Sequence, residues 1–492
     1  MTAGKLVDPR RDAVLDFAHA LVGAVLNRLL HDRDSRFVAD ANTELVASLR
    51  AAAALGVDMP LALQLDESRI YHDGAPLDGP SLQARSLLRR CGERDIAVLS
   101  FDEHLATEEA NRLLDLLLLP GNVHALARSH RQQTLTACGI RNVRVTLRGP
   151  AHPDDRRTAL GGDDRALERY QDLAEALQQN QRLAHRDLEL SVWATAPGVE
   201  RTLLSFDEPS RLLALAMPDD VDRFPVGPSV RGALPARQVA REAGASRDQL
   251  VRLGAAALMH DIGKSKVPQE VLFKRGRLSD EEWRCMRQHP RLGAQILIEQ
   301  HERVDPRAIG AAFCHHMGPA GRGYPESALP LRPSATSSLI RVCDVFEALT
   351  AVRPYKQALT PIEAYAVMFR DEGEFDPVWL RRFVRTLGLF PVGTRVQLAD
   401  GAEALVVEQT GDLRRPLVRL LSGPDGGPLV PGQPELVEIG APLDGRTPRI
   451  AGIATHDRHV EVPAFEPDSA DGPCAAHACL PDPPRAGGRA DP

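Results

Sequence analysis

The stretch that decides the fold is Leu250–Lys264, LVRLGAAALMHDIGK. Leu250–Met259 is an apolar helical run. It ends on His260 and Asp261, with Gly263 and Lys264 directly after. Neighbouring His and Asp offer an imidazole nitrogen and a carboxylate oxygen to one cation, a donor pair suited to Mn, Fe or Zn. The dipeptide alone says little, but its place at the end of an apolar helix, followed by Gly-Lys, says more.

Working outward, three further segments bring donors of the same kind. In Leu278–Gln300, Ser279 and Glu282 form a capping box that sets a helix start. Trp283, Met286, Leu292 and Ile296 mark the inward face, and His289 falls near it. Pro290 disfavours helical geometry at His289, so taken alone His289 reads as a core histidine beside a broken turn. Pro306–His316 carries Ala308, Ile309, Ala312 and Phe313 into the pair His315-His316. Successive helical residues point roughly 100° apart, so two adjacent histidines can serve two ions side by side. Ser337–Ala351 places Asp344 among Ile340, Cys343, Ala348 and Ala351. A bare buried carboxylate is costly unless paired or metal-bound. The alternative for Asp344 is an ion pair with Arg353 or Lys356. Together His260, Asp261, His289, His315, His316 and Asp344 are six N and O donors. They suit two divalent ions roughly 4 Å apart that could clamp a phosphate between them.

The rest of the chain frames this core. Its 492 residues carry a net charge of -7, with 43% hydrophobic residues, which fits an ordinary multidomain protein and gives no basic footprint for a nucleic-acid polymer. The seven Cys include no CxxC pair, pointing to reduced thiols in the cytoplasm. The first residues lack the apolar core of a secretory signal, and the uninterrupted apolar runs are too short for a membrane span. Only five Lys occur, four of them between Lys264 and Lys356. A Lys kept for its compact charge among so many Arg would explain this, and chance placement explains it equally well.

Residues 1–148 read as a mixed α/β or mostly helical domain. Helical periodicity covers Ala13–Leu30, Glu44–Leu55, Leu82–Arg90 and Ala106–Leu119. A hairpin is expected from Leu61, Leu63, Leu65, Ile70 and Tyr71 before His72-Asp73-Gly74, with a strand at Ile96–Phe101. Residues 149–187 read as a linker and connecting helix, 188–390 as a helical bundle, and 391–450 as a small β extension. Residues 456–492, rich in Pro, Gly, Asp and Ala, read as a disordered tail. Cys474 and His477 within that tail read as incidental.

HDIGKSKVPQEVLFKRGRLSDEEWRCMRQHP (260–290), HHMGPAGRGYP (315–325) and DVFEALTAVRPYK (344–356) resemble the HD-GYP family of metal-dependent phosphohydrolases. The spacings from 260 to 289, 289 to 315 and 316 to 344 are similar to that family's. The resemblance covers roughly 190–390 and implies a mainly α fold, an all-helical bundle holding metals between its helices. It implies hydrolysis of cyclic di-GMP to pGpG, and further to GMP, in bacterial second-messenger signalling, with two divalent ions, Fe or Mn. Carried over by position, the six donors become metal ligands, with Asp261 also counted among the catalytic groups. Lys264 offsets charge at the scissile phosphate. Gly323, Tyr324 and Pro325 form the loop beside the site, and Arg353 binds the ligand's phosphates. A diguanylate cyclase or other signalling protein, and a second copy of the chain, are the protein partners such a build implies.

The pattern also departs from the family. Pro228 and Phe224 stand where a His and a Glu are usual, Met317 and Ala320 where a Glu and an Asp are, and Glu347 where a second Asp is. These losses support an alternative, a degenerate module that binds a nucleotide or a partner protein without catalysis; the HD pair alone also fits a hydrolase of another phosphoester.

Overall fold

The computed structural model describes residues 9–118, 131–148, 162–191, 226–274, 276–327, 330–351, 358–371, 373–429, 435–442, 447–454 and 459–461. The chain divides into two compact units, 1–175 and 176–492, and its secondary structure is mainly α.

The first unit joins helices to an antiparallel sheet. Helices α1 (Pro9–Leu30), α2 (Arg36–Ala54) and α5 (Thr107–Leu118) pack on one another. Between α2 and α5 lie the short α3 (Asp78–Ser81) and α4 (Arg85–Gly92). The strands β1 (Leu61–Leu65), β2 (Ile70–His72), β3 (Ala75–Pro76), β4 (Ile96–Phe101) and β5 (Val143–Leu147) run in the order β3-β2-β1-β4-β5. Leu61, Leu63 and Leu65 alternate inward along β1, as period-2 patterning requires. Asp73 and Gly74 both take positive φ (49° and 76°) in the β2–β3 turn, the demand of a two-residue hairpin loop. The expected hairpin is therefore part of a five-stranded antiparallel sheet, in which β3 is two residues long and β5 alternates Val143, Val145 and Leu147 with polar residues. Phe17 of α1 meets Phe101 of β4 edge to face at 5.0 Å.

Length and composition would let α1 cross a membrane, which the short uninterrupted apolar runs did not suggest. Twelve of its 22 residues are buried within the protein, Phe17 and Leu21 completely. The two remaining helices of this region are α6 (Arg131–Ala137) and α7 (Gly162–His185), the second of which runs across the boundary between the units.

The second unit is a helical bundle followed by a β-sheet. Its helices are α8 (Val226–Glu242), α9 (Arg247–Met259), α10 (Gln269–Leu272), α11 (Asp280–Met286), α12 (His289–Ile298), α13 (Pro306–Cys314), α14 (Ala335–Thr350), α15 (Pro361–Arg370) and α16 (Pro377–Leu387). A 3-10 turn, Ile262–Lys266, follows α9. α9 packs on α8 and α13, α13 on α12 and α14, and α14 on α8, α15 and α16. Capping boxes at Ser246, Ser279 and Thr360 start α9, α11 and α15. Phe346, Tyr365 and Phe383 cluster where α14, α15 and α16 meet.

Beyond α16, the strands β6 (Arg395–Leu398), β7 (Glu403–Glu408), β8 (Leu417–Leu420), β9 (Leu436–Glu438), β10 (Ile450–Ala454) and β11 (His459–Glu461) form one antiparallel sheet ordered β11-β10-β6-β7-β8-β9. The β region thus runs past residue 450. Residues 459–461, expected in the tail, pair with β10 instead. Three residues are too short a run for alternation to show, and their order comes from the neighbouring strand. The rest of the expected tail, with Cys474 and His477, lies outside the described residues, as do Phe224, Arg353 and Lys356.

Candidate metal centre

Four helix ends and one helix face deliver the six donors. His260 caps the C-terminus of α9, and Asp261 opens the 3-10 turn. His289 is the first residue of α12, followed by Pro290. Pro lacks an N–H and is tolerated in a first helical turn. The chain breaks after Met286 and restarts at His289, so the break is there, but His289 itself is helical, contrary to what Pro290 led one to expect. His315 caps α13, His316 follows it, and Asp344 lies on α14. The last carbonyls of α9 and α13 carry partial negative charge, so two helix ends favour a cation at this point.

The ring orientations are fixed by backbone carbonyls. Nδ1 of His260 lies 2.7 Å from the Ala257 carbonyl oxygen, and Nδ1 of His289 lies 2.9 Å from that of Met286. Nδ1 of His315 lies 3.1 and 3.0 Å from the Ala311 and Ala312 carbonyl oxygens. A carbonyl only accepts, so each Nδ1 bears the hydrogen and each Nε2 turns inward. The three Nε2 atoms converge on Asp261. His289 and His315 reach its Oδ1 at 3.3 and 3.6 Å, and His260 reaches its Oδ2 at 3.4 Å. Asp344 Oδ1 lies 3.7 Å from His260 Nε2.

This arrangement is hard to satisfy from within the protein. Nε2 of His289 and Nε2 of His315 stand 3.1 Å apart, lone pair toward lone pair. His260 Nε2 and Asp261 Oδ1 are buried and make no hydrogen bond. His260, Asp261, His289 and His315 are each at most 2% exposed. Buried donors and acceptors normally find partners. A cation at the convergence point would satisfy all of them, and an N and O donor set fits a divalent transition ion. The donors fall into two groups, His289–His315–His316 and His260–Asp261–His315. The two oxygens of Asp261 face one group each.

Charge follows the geometry. Burial disfavours the protonated form of His260, but Asp261 and Asp344 prevail and raise its pKa from the ordinary 6.5 to about 10. Burial, together with His260 and His289 nearby, lowers His315 to about 4. Burial and the adjacent His315 hold His316 well below its ordinary value. Burial would raise Asp261, yet Lys264 and His260 keep it well below the usual carboxylate range. Asp344 is lowered as well, against burial, by its contact with His260. A proton on His260 thus stands where a metal cation would otherwise balance the two carboxylates.

Close backbone approach locks the ligand segments together. A Cβ on Gly263 would meet the His289 carbonyl oxygen at 1.9 Å and the Gly293 nitrogen at 2.4 Å. Only glycine lets the turn after Asp261 lie against α12. Gly323 has φ +115°, and a Cβ there would meet the His316 carbonyl oxygen at 2.2 Å. Its strand-like bridge to Met317 folds the loop back on the histidine pair. Tyr324 consequently stacks on His316 (4.4 Å between centroids, 25°) and lies 6.2 Å from His289. Pro325 is buried behind it. Lys264 Nζ lies 2.6 Å from Asp261 Oδ2.

All six donors, Lys264 and the Gly323–Pro325 loop are therefore brought to one place. Of the departures, Pro228 sits in the first turn of α8 and Met317 is buried under the loop. Sequence reading missed what Glu347 does. Its Oε1 accepts from Arg231 Nη2 at 2.6 Å and Nε at 3.1 Å, both side chains being buried. The only available signal was a charge at 347, one turn after Asp344, facing apolar sequence. It also missed Arg287 and Trp283, which flank Tyr324 at 4.9 and 6.4 Å.

Residues 219–378 match the profile of the HD domain family, so this part of the chain is an HD domain. Two curated relatives place it more narrowly. Over 208 residues it is 37% identical to a cyclic di-GMP phosphodiesterase of Pseudomonas aeruginosa, covering 42% of this chain and 49% of the relative. Over 140 residues it is 35% identical to the cyclic di-GMP phosphodiesterase response regulator RpfG of Xanthomonas campestris pv. campestris, covering 28% of this chain and 37% of that one. The names of both relatives agree with the resemblance of 260–290, 315–325 and 344–356 to the HD-GYP family. The match spans half or less of these relatives' length. A solved structure, the HDG"Y"P protein Bd1817 from Bdellovibrio bacteriovorus, superposes with a TM-score of 0.35 at 15% identity, over 46% of this chain and 72% of its own. That likeness is too loose to place any residue.

Proposed function

We propose that the chain is a metal-dependent phosphodiesterase that hydrolyses cyclic di-GMP to pGpG and onward to GMP. The observation that carries this is the convergence of three imidazole Nε2 atoms, their other nitrogens tied to carbonyls, on the buried carboxylate of Asp261. His260, Asp261, His289, His315, His316 and Asp344 would hold two divalent ions, Fe or Mn. Bound divalent ions supply positive charge to the phosphoryl oxygens and acidify the attacking water.

The protein's own groups do the rest. The carbonyl contacts hold His260, His289 and His315 in the tautomer that presents Nε2. Lys264, 27% exposed at its side chain, sits where its ammonium can turn from Asp261 to a phosphate and offset developing charge. Tyr324, fixed against His316, forms a wall for the nucleotide, with Gly323 and Pro325 setting its position. Arg353 is assigned to the ligand's phosphates by its place in the motif alone. The substrate class is supported by the names of the two relatives. The unit before residue 176 is read as a regulatory or interaction module of a cytoplasmic signalling protein, with a diguanylate cyclase or a second copy as candidate partners.

The test is direct. Full-length protein loaded with Mn or Fe converts cyclic di-GMP to pGpG, and the double variant His260→Ala, Asp261→Ala does not. Tight binding of cyclic di-GMP with no turnover under either metal would leave a binding module instead, and turnover of other phosphoesters alone would leave a hydrolase of different substrate.

A further inference from the structure

The geometry points to Arg287 as the group that takes the second phosphodiester of a cyclic dinucleotide, the one not held at the ion cluster. This rests on the phosphodiesterase reading of the site and says how that site would tell a cyclic dinucleotide from a simple diester.

Arg287 closes the C-terminus of α11, two residues before His289. Its guanidinium lies 4.9 Å from the centroid of the Tyr324 ring. That ring in turn stacks on His316 and is edged by Trp283. Arg287 is therefore one ring removed from the donor cluster and half-buried. Three other arginines of this domain spend their charge on a carboxylate: Arg231 on Glu347, Arg252 on Asp248 and Asp305, Arg341 on Glu374. Among the described residues no carboxylate pairs with Arg287. The nearer cation, Lys264, is bound to Asp261.

A guanidinium laid over an aromatic ring keeps its N–H fork in its own plane, free at the edge. That fork matches the oxygens of a phosphate in a bidentate, charge-assisted contact. A cyclic dinucleotide carries two phosphodiesters across one small ring, so placing one at the ions leaves the other to be met nearby. A half-buried cation over the Tyr324 ring, with no carboxylate paired to it among the described residues, meets that need. The stack on Tyr324 fixes the side chain beforehand, which lowers the ordering cost of the contact.

Two probes separate this role from propping the loop. The first is a hydrolysis-resistant phosphorothioate analogue of cyclic di-GMP, with two phosphodiesters. The second is linear GpG, which has the same bases and one phosphodiester. Dissociation constants are measured by equilibrium dialysis on the metal-loaded full chain and on Arg287→Ala, Arg287→Gln and Arg287→Lys, with metal content and cyclic di-GMP turnover recorded in parallel. The expected result is binding of the cyclic analogue weakened about ten-fold or more in the Ala and Gln variants. The Lys variant recovers part of the loss, GpG binding changes less than about two-fold, and metal content stays constant. Loss of the same factor for both probes would overturn the inference, since Arg287 would then act only by supporting Tyr324. So would unchanged binding of the cyclic analogue. Wild-type protein that binds the analogue but turns nothing over removes the hydrolase reading, while the Arg287 comparison still decides this inference. Wild-type protein that binds neither probe overturns both.

Discussion

Two carboxylates sit one turn apart on α14, Glu347 buried and Asp344 half-buried, and are neutralised in opposite ways. Glu347 has its own cation, the Arg231 guanidinium of α8, at 2.6 Å. Asp344 has, among the described residues, His260 at 3.7 Å as its ion-pair partner, which must hold a proton to balance it. In the first pair the balancing charge is a protein side chain, held on Oε1 of Glu347. The second belongs to a cluster of histidines and Asp261 whose lone pairs face one another, and it is complete only with an added cation. Burial alone therefore does not mark a metal site. What marks it is buried charge whose geometry leaves the balancing charge to be supplied from outside.

The sharpest way to break this contrast is to remove the shared carboxylate. Asp261→Asn keeps the size but loses the charge on which three imidazoles converge. Bound metal, read by elemental analysis, and cyclic di-GMP turnover should both fall, the latter on the order of a thousandfold or more, with the helical content kept. A variant that retains its metal would contradict the ligand assignment.

On the other side of the contrast, Glu347→Ala leaves a buried guanidinium unpaired and should cost about 3–5 kcal/mol in urea unfolding. Replacing both partners, Arg231→Met with Glu347→Leu, should restore most of that stability. Metal content should be unchanged in the double variant. If the double variant instead loses its metal, the Arg231–Glu347 pair belongs to the ion site and the two carboxylates are not separate devices.

Gly263→Ala tests the frame that joins the ligand segments. The added Cβ has no room against the His289 carbonyl oxygen, so Asp261 and His289 must part. Metal affinity should drop about 10–100-fold, as for lost support around ligands, with about 1–3 kcal/mol of stability. Full metal affinity would show that the close approach is not needed.

The pH dependence sharpens the comparison further. Without metal, the folded-state pKa of His260 is raised from 6.5 to about 10. Its contribution to stability is fully present below the unfolded value and is lost as pH rises toward about 10. Chelator-treated protein should therefore melt at progressively lower temperature across that range, and His260→Ala should flatten the slope. Metal uptake must displace this proton, so calorimetry in buffers of differing ionisation enthalpy should register proton release on binding. No release would mean that His260 is not a ligand.

The smallest effect is expected at Ser279, which caps α11 ahead of the His289 break. Ser279→Ala should cost about 1 kcal/mol of stability and leave metal content and turnover near wild type. A large loss of metal would mean that the α11 start helps to set the His289 position.

Legibility in the sequence tracked how local each cause was. The helix ending on His260-Asp261, the restart at His289-Pro290, the pair His315-His316 and the inward Asp344 were readable, because each depends on a few adjacent residues and a helical period. The N-terminal sheet was half readable. β1 alternates visibly and β4 is a short apolar run, and the alternation of β5, Val143, Val145 and Leu147, was legible but missed. By contrast, β3 is only two residues long and exists because a neighbouring strand supplies its hydrogen bonds. The same holds for β11, which lay in a segment whose composition spoke for disorder. Arg287 gave no signal at all: nothing in MRQHP distinguishes a guanidinium laid on Tyr324, 37 residues later in the sequence, from one in solvent.

By itself, then, the sequence determined which donor types this protein has, on which helix ends they fall, and that glycine is present at 263 and 323. Tertiary structure alone decided that the donors share one convergence point, that Asp261 is the group they share, and that Glu347 is silenced by Arg231 while Asp344 is not. The physical reason is distance. Spacing along a chain fixes the face of a helix, but whether two buried charges cancel or leave a demand for a cation depends on ångström-scale approaches between helices that are far apart in sequence.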